Sequence, residues 1–164
     1  MSWFKKGRRL QTFPIMIAEL MHQIMVEEDN PHATPETYHL PETVHTRFRE
    51  KVFLYREANI LLALVVRAKD DKLFELPLQE YERILFPQSP STPEGAARLK
   101  AVKDAMLDLR ALMDPSDNRK LTWGREWFAD IGHDETNPAT LLLFFTFWSN
   151  QYSAAQGSLE RIIR

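Results

Sequence analysis

The sequence contains no cysteine and only five glycines among its 164 residues. The absence of cysteine excludes disulfide bonds, thiolate metal ligands and cysteine nucleophiles, and it fits a reducing compartment, so we expect the cytoplasm. No glycine-rich phosphate loop, dinucleotide-binding fingerprint or Gly-x-Ser-x-Gly nucleophile elbow occurs. The sequence therefore offers no common nucleotide-binding or serine-hydrolase motif.

Long apolar runs and a strong excess of one charge are also missing. The run LLLFFTFW has eight residues, whereas a helix needs about 20 to cross a bilayer. Near the beginning of the chain, FPIMIAELMHQIMV is interrupted by Glu19 and His22 and does not match a secretory signal peptide. The formal net charge of −2 gives no general attraction to nucleic acid, which we do not expect as a partner.

Apolar side chains at helical spacing and prolines at the breaks between them are what the sequence does have. They predict six helices, at about 14–28, 43–69, 77–86, 93–113, 121–131 and 138–163. The second half of the second helix, ANILLALVVRA, is apolar on nearly all sides, which is typical of a helix enclosed by others. We predict an all-α orthogonal or irregular bundle around this central helix, forming a single domain at 14–164 after a basic segment at 1–13.

The stretch ADIGHD, residues 129–134, resembles the metal-binding core of the HD-domain hydrolases, which are also all-helical. The resemblance implies metal-dependent phosphohydrolysis, in which an adjacent His-Asp pair ahead of Ile-Gly supplies two metal ligands. Asp130 matches that pattern, but Ala129 stands where the histidine is required. No histidine follows His133 to complete a metal centre on a later helix.

We therefore interpret this stretch as a junction between two helices. Gly132 can close the fifth predicted helix in the left-handed conformation, and His133 would then lie near the negative end of the helix dipole. Asn137 can cap the sixth predicted helix, with Pro138 in its first position.

Two Glu-x-x-His elements suggest an alternative metal site. Glu19 and His22 lie on the first predicted helix, and Glu42 and His45 lie at the start of the second. Metal sites in helical bundles use such pairs on facing helices, and imidazole with carboxylate suits zinc or a similar divalent ion. If the four side chains converge, the chain is a metal-dependent enzyme of hydrolase type. If they are solvated surface residues, no cofactor is expected.

The segment MSWFKKGRRLQTF places aromatic side chains beside basic ones. The residues concerned are Trp3, Phe4, Lys5, Lys6, Arg8 and Arg9. This combination suits an acidic protein partner, and it also suits transient, peripheral attachment to an anionic membrane surface. A third interpretation is that the rings pack on the bundle while the charges are solvated.

Aromatic side chains are concentrated on the last two predicted helices, where they provide candidate partner-binding residues. These are Trp123, Trp127, Phe147, Trp148 and Tyr152. Either the sixth helix is enclosed on all sides, or part of this surface meets a partner, including a second copy in a homodimer. By contrast, Asp104 and Asp108 alternate with basic residues on the fourth helix, which indicates a solvated face.

The leading hypothesis is a non-enzymatic helical module for protein–protein interaction, adaptor or regulatory in role. It would dock onto a protein partner, or onto itself, through the aromatic surface of the last two helices or through the basic segment.

Overall fold

The computed structural model describes residues 14–23, 33–116 and 118–163. Helix α1 covers residues 14–22. It is followed by α2 (His45–Asp70), α3 (Glu75–Leu85), α4 (Pro93–Leu112), α5 (Lys120–Asp130) and α6 (Pro138–Ile163). Short 3-10 helices lie at Pro35–Tyr38, Glu42–Val44 and Lys72–Phe74. No residue in the described ranges belongs to a strand, so the predicted all-α fold with six helices is confirmed. The part of the first predicted helix beyond residue 23 lies outside the described residues.

Helix α2 is the centre of the bundle. It packs against α3, α4 and α6, and every residue of the stretch 55–64 is buried. Because apolar side chains from Ile60 to Leu64 point to all sides of the helix, no orientation of an isolated helix could hide them from water. The neighbouring helices must therefore enclose it, as predicted from its composition.

Local capping chemistry sets most of the helix ends. The Thr92 side chain accepts a hydrogen bond from the backbone N–H of Gly95 at 3.1 Å, and Pro93 occupies the first turn of α4. Helix α3 begins two residues earlier than predicted, at Glu75 rather than Pro77. The reason is that the Asp71 carboxylate accepts the N–H of Leu73 at 3.0 Å, which starts a 3-10 turn that leads directly into α3.

A cluster of aromatic rings holds α2, α5 and α6 together. The Phe144 ring centroid lies 4.6 Å from that of Trp127 and 4.8 Å from that of Phe128. Phe48 from α2 packs edge-on against Trp127 at 5.6 Å. The rings on α5 and α6 therefore fill the space beside the central helix. None of the helices in the described part is both long and apolar enough to span a membrane.

Glu57, whose carboxylate is buried, joins α2 to three other helices through its side chain and its backbone carbonyl. Arg98 on α4 donates a 2.7 Å hydrogen bond from Nη2 to Glu57 Oε1, and His22 Nε2 on α1 lies 3.6 Å from Glu57 Oε2. The Tyr81 hydroxyl on α3 donates to the Glu57 backbone carbonyl at 3.3 Å. A carboxylate that is only 5% exposed must be compensated by such partners, because its desolvation is costly.

Candidate functional site

The two Glu-x-x-His elements do not form a metal site. His22 lies beside Glu57, whereas His45 Nε2 is 2.8 Å from the backbone oxygen of Leu40. Twelve residues separate positions 45 and 57 on α2, a rise of roughly 18 Å, so His45 lies at the beginning of that helix and His22 lies beside its middle. In the described ranges, no group of three or more His, Asp or Glu side chains could hold a metal ion. The convergence that the alternative metal site requires is therefore not seen among Glu19, His22, Glu42 and His45 in the described ranges.

The stretch between α5 and α6 is a helix junction. Gly132 has φ +90°, the left-handed conformation that ends α5. His133 Nε2 lies 3.2 Å from Glu135 Oε2, and Glu135 Oε1 accepts the backbone N–H of Asn137 at 3.0 Å. Asn137 Oδ1 in turn accepts the N–H of Ala139 at 3.0 Å. The polar side chains that resemble a metal-binding core are thus used to connect two helices.

The other predicted binding residues differ in their exposure to solvent, and some of them lie outside the described residues. Trp127, Phe147 and Trp148 are 2%, 6% and 0% exposed, because their rings fill the core between α2, α5 and α6. Burial removes these three from the expected aromatic docking surface. Trp123 and Tyr152 are half-buried and remain accessible in part. The predicted residues of the basic segment, Trp3, Phe4, Lys5, Lys6, Arg8 and Arg9, lie outside the described residues.

A groove between α2, α4 and α5 is the candidate functional site. It contains a cavity of about 400 Å³ and a smaller one of about 130 Å³, and Asp108, Trp123 and Glu126 line both. Each helix supplies residues that are one turn apart and so face the same way. These pairs are Lys51 and Tyr55 on α2, Asp104 and Asp108 on α4, and Trp123 with Trp127 and Glu126 with Asp130 on α5.

Aromatic rings form the inner walls of the groove and are held in place by the core. Trp123 stacks on the fully buried ring of Phe144, with the centroids 5.8 Å apart and the planes inclined by 17°. Tyr55 meets Trp127 edge-on at 5.9 Å. Because Phe144 cannot move without disturbing the core, the Trp123 ring is a rigid surface at the edge of the groove.

One ammonium group is already bound in the groove. Lys51 Nζ lies 4.8 Å from the centroid of the Trp127 ring and 2.7 Å from Asp130 Oδ2. It also donates to the backbone carbonyl of Trp127 at 3.3 Å. The negative face of an indole, a carboxylate and a carbonyl are the groups that favour a cation. The groove is therefore built to hold a positive charge.

Tyr55 fixes one of the carboxylates at the bottom of the groove. Its hydroxyl donates a 2.5 Å hydrogen bond to Asp108 Oδ2 and so joins α2 to α4. Burial and, to a smaller degree, this hydrogen bond to Asp108 raise the pKa of the Tyr55 phenol well above its usual value. The phenol therefore remains protonated, and able to donate this hydrogen bond, at pH values above those at which a free tyrosine ionises.

The charge around the larger cavity is negative, whereas Arg119 and Lys120 line the smaller one. Four carboxylates line the larger cavity, those of Asp104, Asp108, Glu126 and Asp130, and Lys51 is the one basic residue there. Lys51 pairs with Asp130, and Lys100 pairs with Asp104 on the outer side of α4. Glu126 and Asp108 form no salt bridge with any residue of the described ranges. These two carboxylates are thus available to an incoming cation.

Neither histidine nor serine is among the residues that line the two cavities, and the hydroxyl groups there are those of Thr122 and Tyr55. The prediction of a solvated face at Asp104 and Asp108 missed this site. Asp108 is half-buried against Tyr55, and only the packing of α4 on α2 brings the two together.

In comparisons with known proteins, no protein-family model, curated protein or solved structure matches the chain.

Proposed function

We propose that the chain is a non-enzymatic interaction module that binds a lysine- or arginine-containing segment of a partner protein in the groove. The observation that carries the proposal is the seat of Lys51, whose ammonium rests on the Trp127 ring and on Asp130. The contact that Lys51 makes within the chain is of the same kind as the contact that a partner's cation would make with Trp123, Asp108 and Glu126. We place this activity in the cytoplasm because the chain has no cysteine.

The binding free energies of the individual contacts indicate what kind of ligand is required. A cation on an aromatic face contributes about 0.5–2 kcal/mol, and a partly exposed ion pair contributes about 0–1 kcal/mol. A dissociation constant of 1 mM requires about 4 kcal/mol. One basic side chain therefore binds too weakly to matter, and the partner needs several cations within a short segment. Such a segment could lie along the groove, because both cavities share the Trp123 wall.

The test is a titration with acetylated tetralysine amide, followed by nuclear magnetic resonance of the backbone amides and indole N–H groups. We expect saturable shifts at Trp123 and around Asp108, with a dissociation constant on the order of 0.1–1 mM at low salt. Binding should weaken as salt screens the charges. Tetraglutamate of the same length should produce no shift at these positions.

Matched variants assign the binding to the groove. Asp108→Asn with Glu126→Gln removes two groove charges at nearly constant shape and should weaken tetralysine binding about tenfold, equivalent to about 1.4 kcal/mol. Glu75→Gln with Glu82→Gln removes two exposed charges from α3 and should leave binding unchanged. Equal affinity in the two double variants, or shifts confined to other surfaces, would reject the groove as the binding site.

A further inference from the structure

We propose that the basic segment of this same chain, residues 1–10, is a ligand of the groove and competes with a partner for it. The inference rests on the proposed function, because it uses the same site. The segment has four cations, Lys5, Lys6, Arg8 and Arg9, and no acidic residue. The larger cavity of the groove has four carboxylates around one lysine. The two are complementary in charge.

The segment is distinguished from the rest of the sequence by its uncompensated charge. No other stretch of ten residues holds four basic residues without an acidic one. Some basic residues elsewhere are paired with an acid close by in the sequence, as Arg83 is with Glu80 and Lys100 with Asp104. The segment also carries Trp3 and Phe4 beside its cations. These rings match the aromatic wall of Trp123, so that stacking could accompany the ion pairs.

The length of the segment allows the contact. Five to nine residues separate the four cations from Pro14, the first described residue, and chains of those lengths span at most about 17–32 Å when extended. A compact protein of this size has a radius of gyration of about 15 Å. The cations can thus reach over about one to two radii of gyration, which allows contact with the groove of the same chain or of a second copy.

Occupation by the segment would regulate the groove. A tethered ligand acts at an effective concentration on the order of 1 mM. If the free segment binds with a dissociation constant on the order of 0.1 mM, competition lowers the apparent affinity for an external cationic ligand about tenfold. A partner with more cations, or a membrane surface that removes the segment, would relieve this inhibition.

The experiment compares the full chain with a variant in which Lys5, Lys6, Arg8 and Arg9 are replaced by serine. We expect tetralysine to bind this variant about tenfold more tightly than the unchanged chain. A synthetic peptide of residues 1–13, added to the variant, should shift the Trp123 indole signal and restore the weaker tetralysine affinity. The control replaces four exposed cations elsewhere with serine, those of Lys69, Lys72, Lys103 and Arg125. This control variant has the same net charge as the segment variant but keeps the basic segment. Its tetralysine affinity should therefore stay within about twofold of that of the unchanged chain.

Two failures can be told apart. Tight tetralysine binding that is identical in the full chain and the segment variant would overturn the competition and leave the proposed function standing. No binding of either peptide to the segment variant would overturn both the competition and the proposed function.

The sedimentation coefficient distinguishes contact within one chain from contact between two copies. A concentration-dependent rise in sedimentation coefficient, abolished by the four serine substitutions, would assign the contact to a second copy. A constant coefficient together with the tenfold difference would assign it to the same chain.

Discussion

The hydroxyl of Tyr55 donates a 2.5 Å hydrogen bond to Asp108, and through this bond α2 is connected to α4 beneath the groove. Its removal by Tyr55→Phe should destabilise the protein by about 1.5–3 kcal/mol, because the acceptor is a charged carboxylate. Urea denaturation measures the change. In a double-mutant cycle with Asp108→Ala, most of this loss should disappear, since the partner is already gone. Additive losses in the two single variants would show that the hydrogen bond contributes nothing.

Stability should fall steeply in alkaline solution. Burial raises the pKa of the phenols of Tyr38, Tyr55 and Tyr81 above the ordinary value of 10. Above pH 10 the unfolded chain releases these protons and the folded chain retains them, so the unfolded state binds fewer protons. The free energy of unfolding is therefore unaffected below pH 10 and decreases above it, by about 1.4 kcal/mol per pH unit for each tyrosine.

The alkaline effect can be assigned to individual residues. Tyr55→Phe should reduce the slope of unfolding free energy against pH by about one third above pH 10, because it removes one of the three buried phenols. Denaturation series at pH 9.5, 10.5 and 11.5 give the slopes. A stability that stays constant over this range would contradict the burial of the phenols.

Removal of the Arg98 guanidinium should be costly because it leaves Glu57 buried without its closest charged partner. We expect Arg98→Met to lower the free energy of unfolding by about 3 kcal/mol. Adding Glu57→Gln should recover a large part of this loss, since a neutral amide needs no counter-ion. The control is Arg83→Met, which breaks an exposed pair with Glu80 and should cost no more than about 1 kcal/mol. A similar cost for the two arginine variants would refute the buried cluster as a stabilising element.

Two glycines should respond to alanine in opposite directions. Gly132 has φ +90°, and an added Cβ would lie 3.2 Å from Arg47 Nη1. Gly132→Ala should therefore destabilise the protein by about 1–2 kcal/mol. Gly157 lies inside α6, where an added Cβ meets nothing closer than 3.9 Å. Gly157→Ala should stabilise the protein by about 0.5–1 kcal/mol, since alanine is the better helix former. Thermal denaturation of both variants checks the two signs together.

The sequence predicts helix ends well where a local interaction defines them. Pro93 and Pro138 begin their helices as predicted, because a capping residue and a proline act within one turn. The start of α3 was predicted two residues late, since an Asx turn at Asp71 outweighs the signal from Pro77. The enclosure of α2 was predictable too, because a helix that is apolar all round has no alternative in water.

The groove could not be predicted, because its parts become neighbours only through packing. Residues one turn apart, such as Asp104 and Asp108, look the same in sequence on a solvated face and in a binding groove. Position 55 is 53 residues from its partner at 108. The two Glu-x-x-His pairs are an example of the same difficulty. The spacing within each helix does not determine whether the two pairs lie close together when the helices pack.

The burial of residues 55–64 on every side has a consequence for how the bundle opens. Backbone amides in this stretch can reach solvent only if α3, α4 and α6 separate from it together, and this amounts to global unfolding. Hydrogen exchange should therefore be slowest there, at a rate set by the stability of the whole protein.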